Sequence, residues 1–463
     1  MNQDNYSTSD KRLVLLITMF GAFLTPFMSS SVTVALPSIG KDFSMSAVVL
    51  SWVAASYLLT AASFLLPFGR LADIYGRKRI FSAGTALFTL ASLLCAVSAS
   101  APLLIAFRIV QGIAGAMLMS TSVAILTSVF HSGERGKVLG LNVASTYTGL
   151  SAGPFLGGLL TYSLGWRSIF FAVALLGLFA FVLVRQRLTA EWTEARGEKF
   201  DITGTLISIV SFALLMYGFT ILPSTRGIGL LGLGLAGMAA FGVWEIKTEN
   251  PLIDIPLFRT NTVFVFSNIA ALINYSATFA VSFLVSLYLQ YIKGFDPRQA
   301  GLILVIQPLL MAIFSPLAGR LSDSIEPRLV SSAGMLLTSA GLFLFIFLGK
   351  NTSLLYISLS LFILGLGFAL FSSPNTHAVM ASVEKKYYGV ASGTLGAMRL
   401  TGQTLSMAIT MMILALSIGR AQVTPYYYPA FLNSTSLSFA LFTGLCLAGT
   451  AASLARGTMH GKP

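Results

Sequence analysis

The chain has 463 residues, of which 55% are hydrophobic and 10% charged, and its formal net charge is +13. Soluble globular proteins carry roughly 25% charged residues, so this composition excludes water as the main solvent. Nucleic acid is excluded as a partner too, because its binding needs basic residues gathered in one patch, and here they are scattered through short loops.

Apolar runs long enough to cross a membrane recur along the whole chain. A bilayer core about 30 Å thick needs roughly 20 helical residues per crossing. In chain order, the runs are Leu13–Leu36, Val48–Phe68, Ile80–Val97, Leu103–Leu126, Val138–Tyr162, Ile169–Val184, Thr203–Leu222, Ile228–Trp244, Val263–Leu289, Ala300–Leu317, Val330–Leu348, Leu354–Phe371, Val390–Ile418 and Leu437–Leu454. The sequence therefore predicts an all-α integral membrane protein with fourteen transmembrane helices.

A five-residue repeat indicates that the chain contains two related halves. GRLAD at Gly69–Asp73 follows the second run, and GRLSD at Gly319–Asp323 follows the tenth. If the seventh and eighth runs are an insertion, the copies lie six helices apart, as in transporters built from parallel repeats. We predict a six-helix bundle over residues 1–190, a linker with two extra helices over 191–260, and a second six-helix bundle over 261–463.

The loop charges predict the orientation in the membrane. Most of the 29 Lys and Arg residues lie in loops on the side of the N-terminus, and an even number of crossings returns the C-terminus to that side. Lys and Arg are retained on the cytoplasmic side, so both termini are predicted to be cytoplasmic. We expect a monomeric, multi-pass protein of the plasma membrane, surrounded by the lipid bilayer.

Three motifs in the first half carry a resemblance to a known family. They are GRLADIYGRKR after the second run, LIAFRIVQGIAGA with Arg108, Gln111 and Gly112 in the fourth, and GLSAGPFLGG at Gly149–Gly158 in the fifth. The chain resembles the major facilitator superfamily, and its 6+2+6 arrangement is similar to the fourteen-helix drug:proton antiporters. The resemblance implies two pseudo-symmetric six-helix bundles and efflux of drugs.

The resemblance also implies a cytoplasmic gate in the loop after the second run. In such a gate, Asp73 and Arg77 hold the two bundles together when the carrier faces outward. The residues assigned to gating in the two halves are Gly69, Asp73, Gly76, Arg77, Lys78, Gly319, Arg320 and Asp323. The residues alone also allow a plainer interpretation, a topology signal of basic residues after a glycine that ends the helix.

Small residues recur every four positions along the fifth run, from Ser145 onward. One helix face is therefore bare of side chains, and another helix can approach it closely, while the proline in this run bends the helix. The residues assigned to this interface and kink are Gly149, Gly153, Pro154, Gly157 and Gly158. The pattern is explained either by close packing alone or by a contact between the bundles that sets the preferred facing state.

Four polar residues are candidates for substrate binding or proton coupling. Arg108 stands deep in its run, where a charge costs about 2.5–3.5 kcal/mol on insertion scales, and Gln111 lies on the same helix face. The family pattern implies a role for Arg108 in binding or proton coupling. Arg399 contacts substrate or snorkels to the surface, and His377 either titrates or lies at the membrane interface.

No acidic residue is assigned to the interior of any run. The family pattern often has an Asp seven residues before the ALP triplet, and this sequence has Met28 there. Two intramembrane arginines without a carboxylate favour neutral or anionic amphiphiles over cations. Protons remain the expected coupling ion, with Asp73, Asp323 or His377 as groups that could titrate.

These observations favour a secondary transporter that exports small amphipathic molecules by alternating access, with proton coupling and without metal, cofactor or enzymatic activity. One alternative is a dedicated carrier of an anionic metabolite or lipid. Another is a non-transporting membrane sensor, although the longest loops have under twenty residues, too few for a soluble domain. A primary pump is disfavoured because no GxxxxGK[ST] signature for ATP binding is present.

Overall fold

The apolar runs form membrane-length helices in the computed structural model. It describes residues 8–131, 134–188, 190–222, 224–249, 251–252, 258, 261–384, 388–419 and 421–457. The first eight helices are α1 (Thr8–Asp42), α2 (Ala47–Tyr75), α3 (Arg77–Ala96), α4 (Ala101–Val129), α5 (Arg135–Leu164), α6 (Arg167–Arg187), α7 (Ile202–Thr220) and α8 (Thr225–Lys247). The others are α9 (Thr262–Leu287), α10 (Pro297–Leu304), α11 (Ile306–Ser324), α12 (Pro327–Phe345), α13 (Leu354–Ala381), α14 (Tyr388–Ser417) and α15 (Tyr428–Ala455).

These helices make fourteen rods in the described part of the chain, because α10 and α11 continue one another across Val305. Thirteen rods have the length and hydropathy of a membrane span. The remaining rod is α5, which is long enough at 30 residues, but its Gly, Ser and Thr residues lower its hydropathy. The prediction of an all-α fold with fourteen transmembrane helices is confirmed.

Several helix starts are satisfied by side-chain caps, which matter because the first N–H groups of a helix have no partner within it. Ser46, Asp201 and Asn261 accept hydrogen bonds from backbone N–H groups at the starts of α2, α7 and α9. Asp296 and Gln299 form a reciprocal capping box at the start of α10. These caps fix where four of the helices begin.

The two halves repeat the same packing pattern. In the first half, α1 packs against α5, α2 against α4, and α3 against both α4 and α6. In the second half, α9 packs against α14, the α10–α11 rod against α13, and α12 against both α13 and α15. The extra helices α7 and α8 pair with each other, and α7 also contacts α2 and α14. The pattern is that of two pseudo-symmetric six-helix bundles with two additional helices.

Two ion pairs define the faces of the molecule. Lys11 Nζ lies 2.9 Å from Glu134 Oε2 and holds the pKa of that carboxyl below its usual value by hydrogen bonding, on what we call the terminal face. Arg167 Nη1 lies 2.7 Å from Asp42 Oδ2, on the opposite or far face. The first pair joins the start of α1 to the residue before α5, and the second joins the last residue of α1 to the start of α6.

The bundles contact each other at the far face. The ends of α1 and α9 are joined there by side-chain bonds to backbone carbonyls, and so are the connections after α1 and α14. The bonds are Ser286 Oγ to Thr33 O at 3.0 Å, Gln290 Nε2 to Val34 O at 2.9 Å, and Gln422 Nε2 to Ser44 O at 2.8 Å. The described conformation is therefore closed at the far face.

Candidate functional site

Arg108 is buried inside the first bundle, where it is 1% exposed. Its Nε donates to Val53 O at 2.9 Å, and its Nη1 donates to Gln111 Oε1 at 2.5 Å. Gln111 Nε2 donates in turn to Ser92 Oγ at 2.7 Å, and the guanidinium lies 4.4 Å from the ring centroid of Tyr57. Neutral acceptors and an aromatic ring from α2, α3 and α4 thus surround this charge.

Gly112 brings these partners within reach of Arg108. A Cβ at this position would overlap Thr60 Oγ1 and the carbonyl oxygen of Tyr57. Because Gly112 lacks a side chain, α2 approaches α4 closely enough for Thr60 Oγ1 to donate to Ile109 O at 3.1 Å. The Arg, Gln and Gly of this motif therefore act together as a packing unit within one bundle.

A second polar group lies where the two bundles meet. Arg399 Nη2 donates to Thr376 Oγ1 at 2.7 Å, and its guanidinium lies 5.6 Å from the ring centroid of Tyr275. Tyr147 Oη of α5 is 2.7 Å from Ser372 Oγ of α13, and it lies within electrostatic range of Tyr275 and Arg399. We call Tyr147, Tyr275, Ser372, Thr376 and Arg399 the central cluster.

The central cluster combines a cation, hydroxyl groups and aromatic rings. Arg399 Nε is buried and has no hydrogen-bond partner among the described residues. Its N–H is therefore available to donate to a ligand. The Tyr275 ring packs edge-on against Phe368, with ring centroids 5.2 Å apart. This arrangement offers a charged hydrogen-bond donor beside an aromatic ring.

Sequence reasoning did not predict Tyr275, Ser372 and Thr376 as site residues. Hydroxyl side chains are common in membrane helices, where most bond to their own backbone, so spacing alone does not distinguish these three. His377, which was predicted, follows Thr376 and is exposed. Both interpretations of His377, titration and a position at the membrane interface, stay predictions.

The loop between α2 and α3 is bound by the connection that follows α6. Arg77, which is 5% exposed, donates Nε to Asp73 Oδ1 at 2.9 Å and Nη1 to Glu194 Oε1 at 2.7 Å. Backbone bonds run from Arg77 N to Trp192 O at 2.9 Å and from Ala195 N to Asp73 O at 3.0 Å. We call residues 191–198 the clasp.

Further contacts extend the clasp along this loop. Glu191 Oε1 accepts from Lys78 N at 2.9 Å, and Glu198 pairs with Arg70. Gly76 has a φ of +119°, and a Cβ there would overlap Glu191. In this conformation Asp73 and Arg77 join the first bundle to the clasp. The hypothesis that they hold the two bundles together concerns the outward-facing state and stays a prediction.

Replacing Arg77 should weaken the clasp. We expect Arg77→Gln to lower the free energy of unfolding by about 2 kcal/mol, because hydrogen bonds to charged groups contribute about 1.5–3 kcal/mol. The matched control is Arg79→Gln, since Arg79 is 76% exposed and lies 3.8 Å from Glu191. Thermal unfolding in one detergent measures both, and equal melting temperatures for the two variants would contradict a structural role for the clasp.

The gating residues assigned in the second half occupy the end of α11. Gly319 lies near α13, where a Cβ would come 2.9 Å from Ser373 Oγ, and Arg320 is exposed. The side chain of Asp323 lies outside what the structure describes. No equivalent of the clasp is therefore assigned to this copy of the motif.

The glycine face of α5 packs inside its own bundle. A Cβ at Gly149 would lie 2.5 Å from Phe23 O, one at Gly153 would overlap Ser30, and one at Gly157 would lie 2.7 Å from Ser31 Cα. All three neighbours belong to α1. The four-residue spacing thus explains the α1–α5 packing, which is the close-packing interpretation.

The contact of α5 with the second bundle involves different atoms. A Cβ at Gly158 would overlap the carbonyl oxygen of Pro297, and a Cβ at Gly301 would overlap the carbonyl oxygen of Pro154. These reciprocal contacts join α5 to α10 at the far face. Of the residues assigned to the interface, Pro154 and Gly158 therefore lie between the bundles.

Two charges outside the predicted runs are buried at helix ends. Arg456, 1% exposed, donates Nη1 to Asn375 Oδ1 and to Ser267 Oγ, both at 3.2 Å. Glu245, 2% exposed, lies in the last turn of α8, beyond the predicted end at Trp244. The second bundle therefore contains a buried arginine besides Arg399, and a carboxylate is buried within a membrane-length helix.

Comparison with known proteins agrees with this architecture. The chain matches the Major Facilitator Superfamily model over residues 18–246 and 268–459. It is 30% identical to the riboflavin transporter RibZ of Clostridioides difficile (strain 630), over 95% of this chain and 96% of that protein. It is 33% identical to the multidrug resistance protein Stp of Mycobacterium tuberculosis (strain CDC 1551 / Oshkosh), over 87% of this chain and 76% of that protein.

A solved structure supports the fold independently. It is the crystal structure of a bacterial homolog of the human lysosomal transporter Spinster, in an inward-facing and unoccupied conformation. The match has a TM-score of 0.71 and 16% sequence identity, and it covers 97% of this chain and 98% of that chain. The chain belongs to the major facilitator superfamily of membrane transporters, with two helices added between its two six-helix bundles.

Proposed function

We propose that the protein exports small amphipathic molecules from the cytoplasm by alternating access, with both termini cytoplasmic and the plasma membrane as its location. The observation that carries this proposal is the central cluster, whose Tyr147–Ser372 contact joins the two bundles beneath their closed far face. A site between the repeats is where such carriers bind substrate. The similarity to a protein named for multidrug resistance supports export.

The central cluster favours neutral or anionic substrates. Arg399 supplies a cation with an unused donor, and Met28, which replaces the acid of the family pattern, is buried and apolar. None of the five cluster residues is an acid, so an organic cation would find no counter-charge among them. A planar amphiphile with an acceptor oxygen would place that oxygen on Arg399 and its ring beside Tyr275.

Proton coupling is part of this proposal. Arg77 pairs with Asp73 at 2.8 Å and with Glu194 of the clasp at 2.7 Å, so loss of the charge on Asp73 would remove one of the two ion pairs of Arg77. That loss would loosen Arg77 and with it the loop between α2 and α3, and in this proposal the loosening links proton uptake to bundle movement. Collapse of the proton gradient should then stop export, as measured by substrate accumulation after addition of a protonophore.

Replacing Arg399 tests the substrate class. We expect Arg399→Gln to reduce export of neutral or anionic amphiphiles about tenfold, because a hydrogen bond to a charged group contributes about 1.5–3 kcal/mol. Accumulation of a panel of cationic, neutral and anionic dyes is measured in an efflux-deficient host. The control is Arg226→Gln, which removes an exposed arginine at the start of α8, outside the cluster and outside the residues assigned to gating.

The outcomes separate export from substrate preference. If cells with the wild-type protein accumulate every dye as control cells do, export is contradicted. If wild-type export is present but Arg399→Gln leaves transport of anionic dyes unchanged, the assignment of Arg399 is wrong. If Arg399→Gln loses export of the cationic dyes alone, the predicted preference for neutral or anionic substrates is wrong.

A dedicated carrier of one anionic metabolite is the second candidate. It is favoured by the reserve donor of Arg399 and by the similarity to a protein named as a riboflavin transporter over almost the whole chain. A dedicated carrier would export one member of the panel, and unlabelled relatives of that compound would compete with it. Membership of a transporter superfamily favours either candidate over the sensor hypothesis.

A further inference from the structure

We propose that a basic groove between α3 and α6 at the terminal face binds the headgroup of an anionic phospholipid. The groove has a volume of about 690 Å³ and lies outside the contact between the bundles. Lys78 and Arg79 line it from the start of α3, and Arg185 lines it from the end of α6. Three cations therefore converge from two helices at the level where each helix leaves the membrane.

The two arginines of the groove are only partly neutralised. Glu191 is the acid among the lining residues, and its Oε1 already accepts the backbone N–H of Lys78 at 2.9 Å. Arg79 Nε is 3.8 Å from Glu191 Oε2, which is too long for a hydrogen bond. Among the described residues, none forms an ion pair with Arg185. The guanidinium groups of Arg79 and Arg185 thus have donors for a phosphate.

The floor of the groove is apolar and continues into the membrane. Ala83, Ala86 and Phe181 line it below the cations. Exposed apolar side chains follow on the same outer faces, with Leu90 and Leu93 on α3 and Leu178 and Val182 on α6. A lipid with an anionic headgroup and acyl chains matches both the basic part of the groove and the apolar surface below it, whereas free phosphate matches only the basic part.

The position of the groove favours a lipid over a soluble ligand. Its two lining helices, α3 and α6, carry exposed Leu and Val next to the groove, and these side chains face hydrocarbon in a membrane. Basic pockets at the ends of membrane helices attract acidic headgroups, each cation strengthening binding by about fivefold. We expect the double variant Arg79→Gln/Arg185→Gln to bind anionic lipid roughly 25-fold more weakly.

The test measures lipid binding directly. The full-length protein is placed in nanodiscs of phosphatidylcholine with increasing fractions of phosphatidylglycerol, and bound phosphatidylglycerol is quantified by native mass spectrometry after release into detergent. The control is Arg187→Gln, which removes an exposed arginine two residues after Arg185 that does not line the groove. We expect this control to retain wild-type binding.

Three outcomes would overturn the proposal. They are wild-type binding by the double variant, equal losses in the double variant and the Arg187→Gln control, and displacement of the lipid by millimolar inorganic phosphate. The last result would identify free phosphate as the ligand. Melting temperatures in pure phosphatidylcholine check that all variants are folded, and the readout does not depend on transport.

Discussion

Adding one methyl group at Gly158 or Gly301 is expected to shift the carrier away from the conformation closed at the far face. In this conformation the new Cβ would overlap a backbone carbonyl of the opposite bundle, at Pro297 or Pro154. Overpacking of this kind costs about 1–3 kcal/mol, which corresponds to a change of roughly 5- to 150-fold in the ratio of the two facing states. The clash disappears once the bundles separate, so the penalty applies to one state alone.

The shift is measured by labelling a thiol introduced at the far-face contact. Gln290→Cys replaces a side chain that bonds to α1 in the closed state, so a membrane-impermeant maleimide should react with it faster in the Gly158→Ala or Gly301→Ala background. The natural cysteines, Cys95 and Cys446, are buried. The matched control is Gly393→Ala, because no atom lies within 4 Å of a Cβ at that position.

Gly157→Ala gives a useful contrast. Its Cβ would meet Ser31 of α1, within the same bundle, so this variant should lose stability without changing the labelling rate. Equal labelling rates in the Gly158→Ala, Gly301→Ala and Gly393→Ala backgrounds would contradict the assignment of the α5–α10 contact as the far-face closure.

Arg108→Ala is expected to cause a large loss of stability. It removes the donor to Val53 O and to Gln111 Oε1 in the interior of the first bundle. A buried polar group left without a partner costs about 1–3 kcal/mol, and the vacated volume adds a cavity. The substitution also removes a buried charge that is costly to desolvate, which offsets part of this loss. We therefore expect a decrease of about 2–4 kcal/mol in the free energy of unfolding. Thermal unfolding of the purified protein measures the change.

Arg108→Lys separates stability from transport. The lysine retains the charge beside Tyr57 but does not reproduce both hydrogen bonds of the guanidinium. The observed partners of Arg108 all lie in the first bundle. Folded molecules of the Arg108→Lys variant should therefore export as fast as wild-type molecules. A folded but inactive Arg108→Lys variant would favour the direct role in coupling that the family pattern implies.

Local features of the sequence predicted much of this protein. The number of membrane-length rods follows from apolar runs, because the bilayer thickness sets a minimum length for each crossing. Arg108 and Gln111 meet because residues three apart lie on one helix face. The glycines spaced by four along α5 indicated a close helix contact for the same reason, without indicating which helix makes it.

The tertiary structure decided which distant elements meet. Two partners of Arg77, Trp192 and Glu194, come from a polar connection more than a hundred residues away, and no periodic pattern ties that connection to the loop after α2. The central cluster is assembled from α5, α9, α13 and α14, and its hydroxyl residues resemble the many others that bond within their own helices. Gly158 lies outside the four-residue spacing but reaches the second bundle, and Arg456 follows the last run but is buried. Helix formation depends on neighbours within a few turns, whereas these contacts depend on the rotation and tilt of whole helices, which only packing in three dimensions determines.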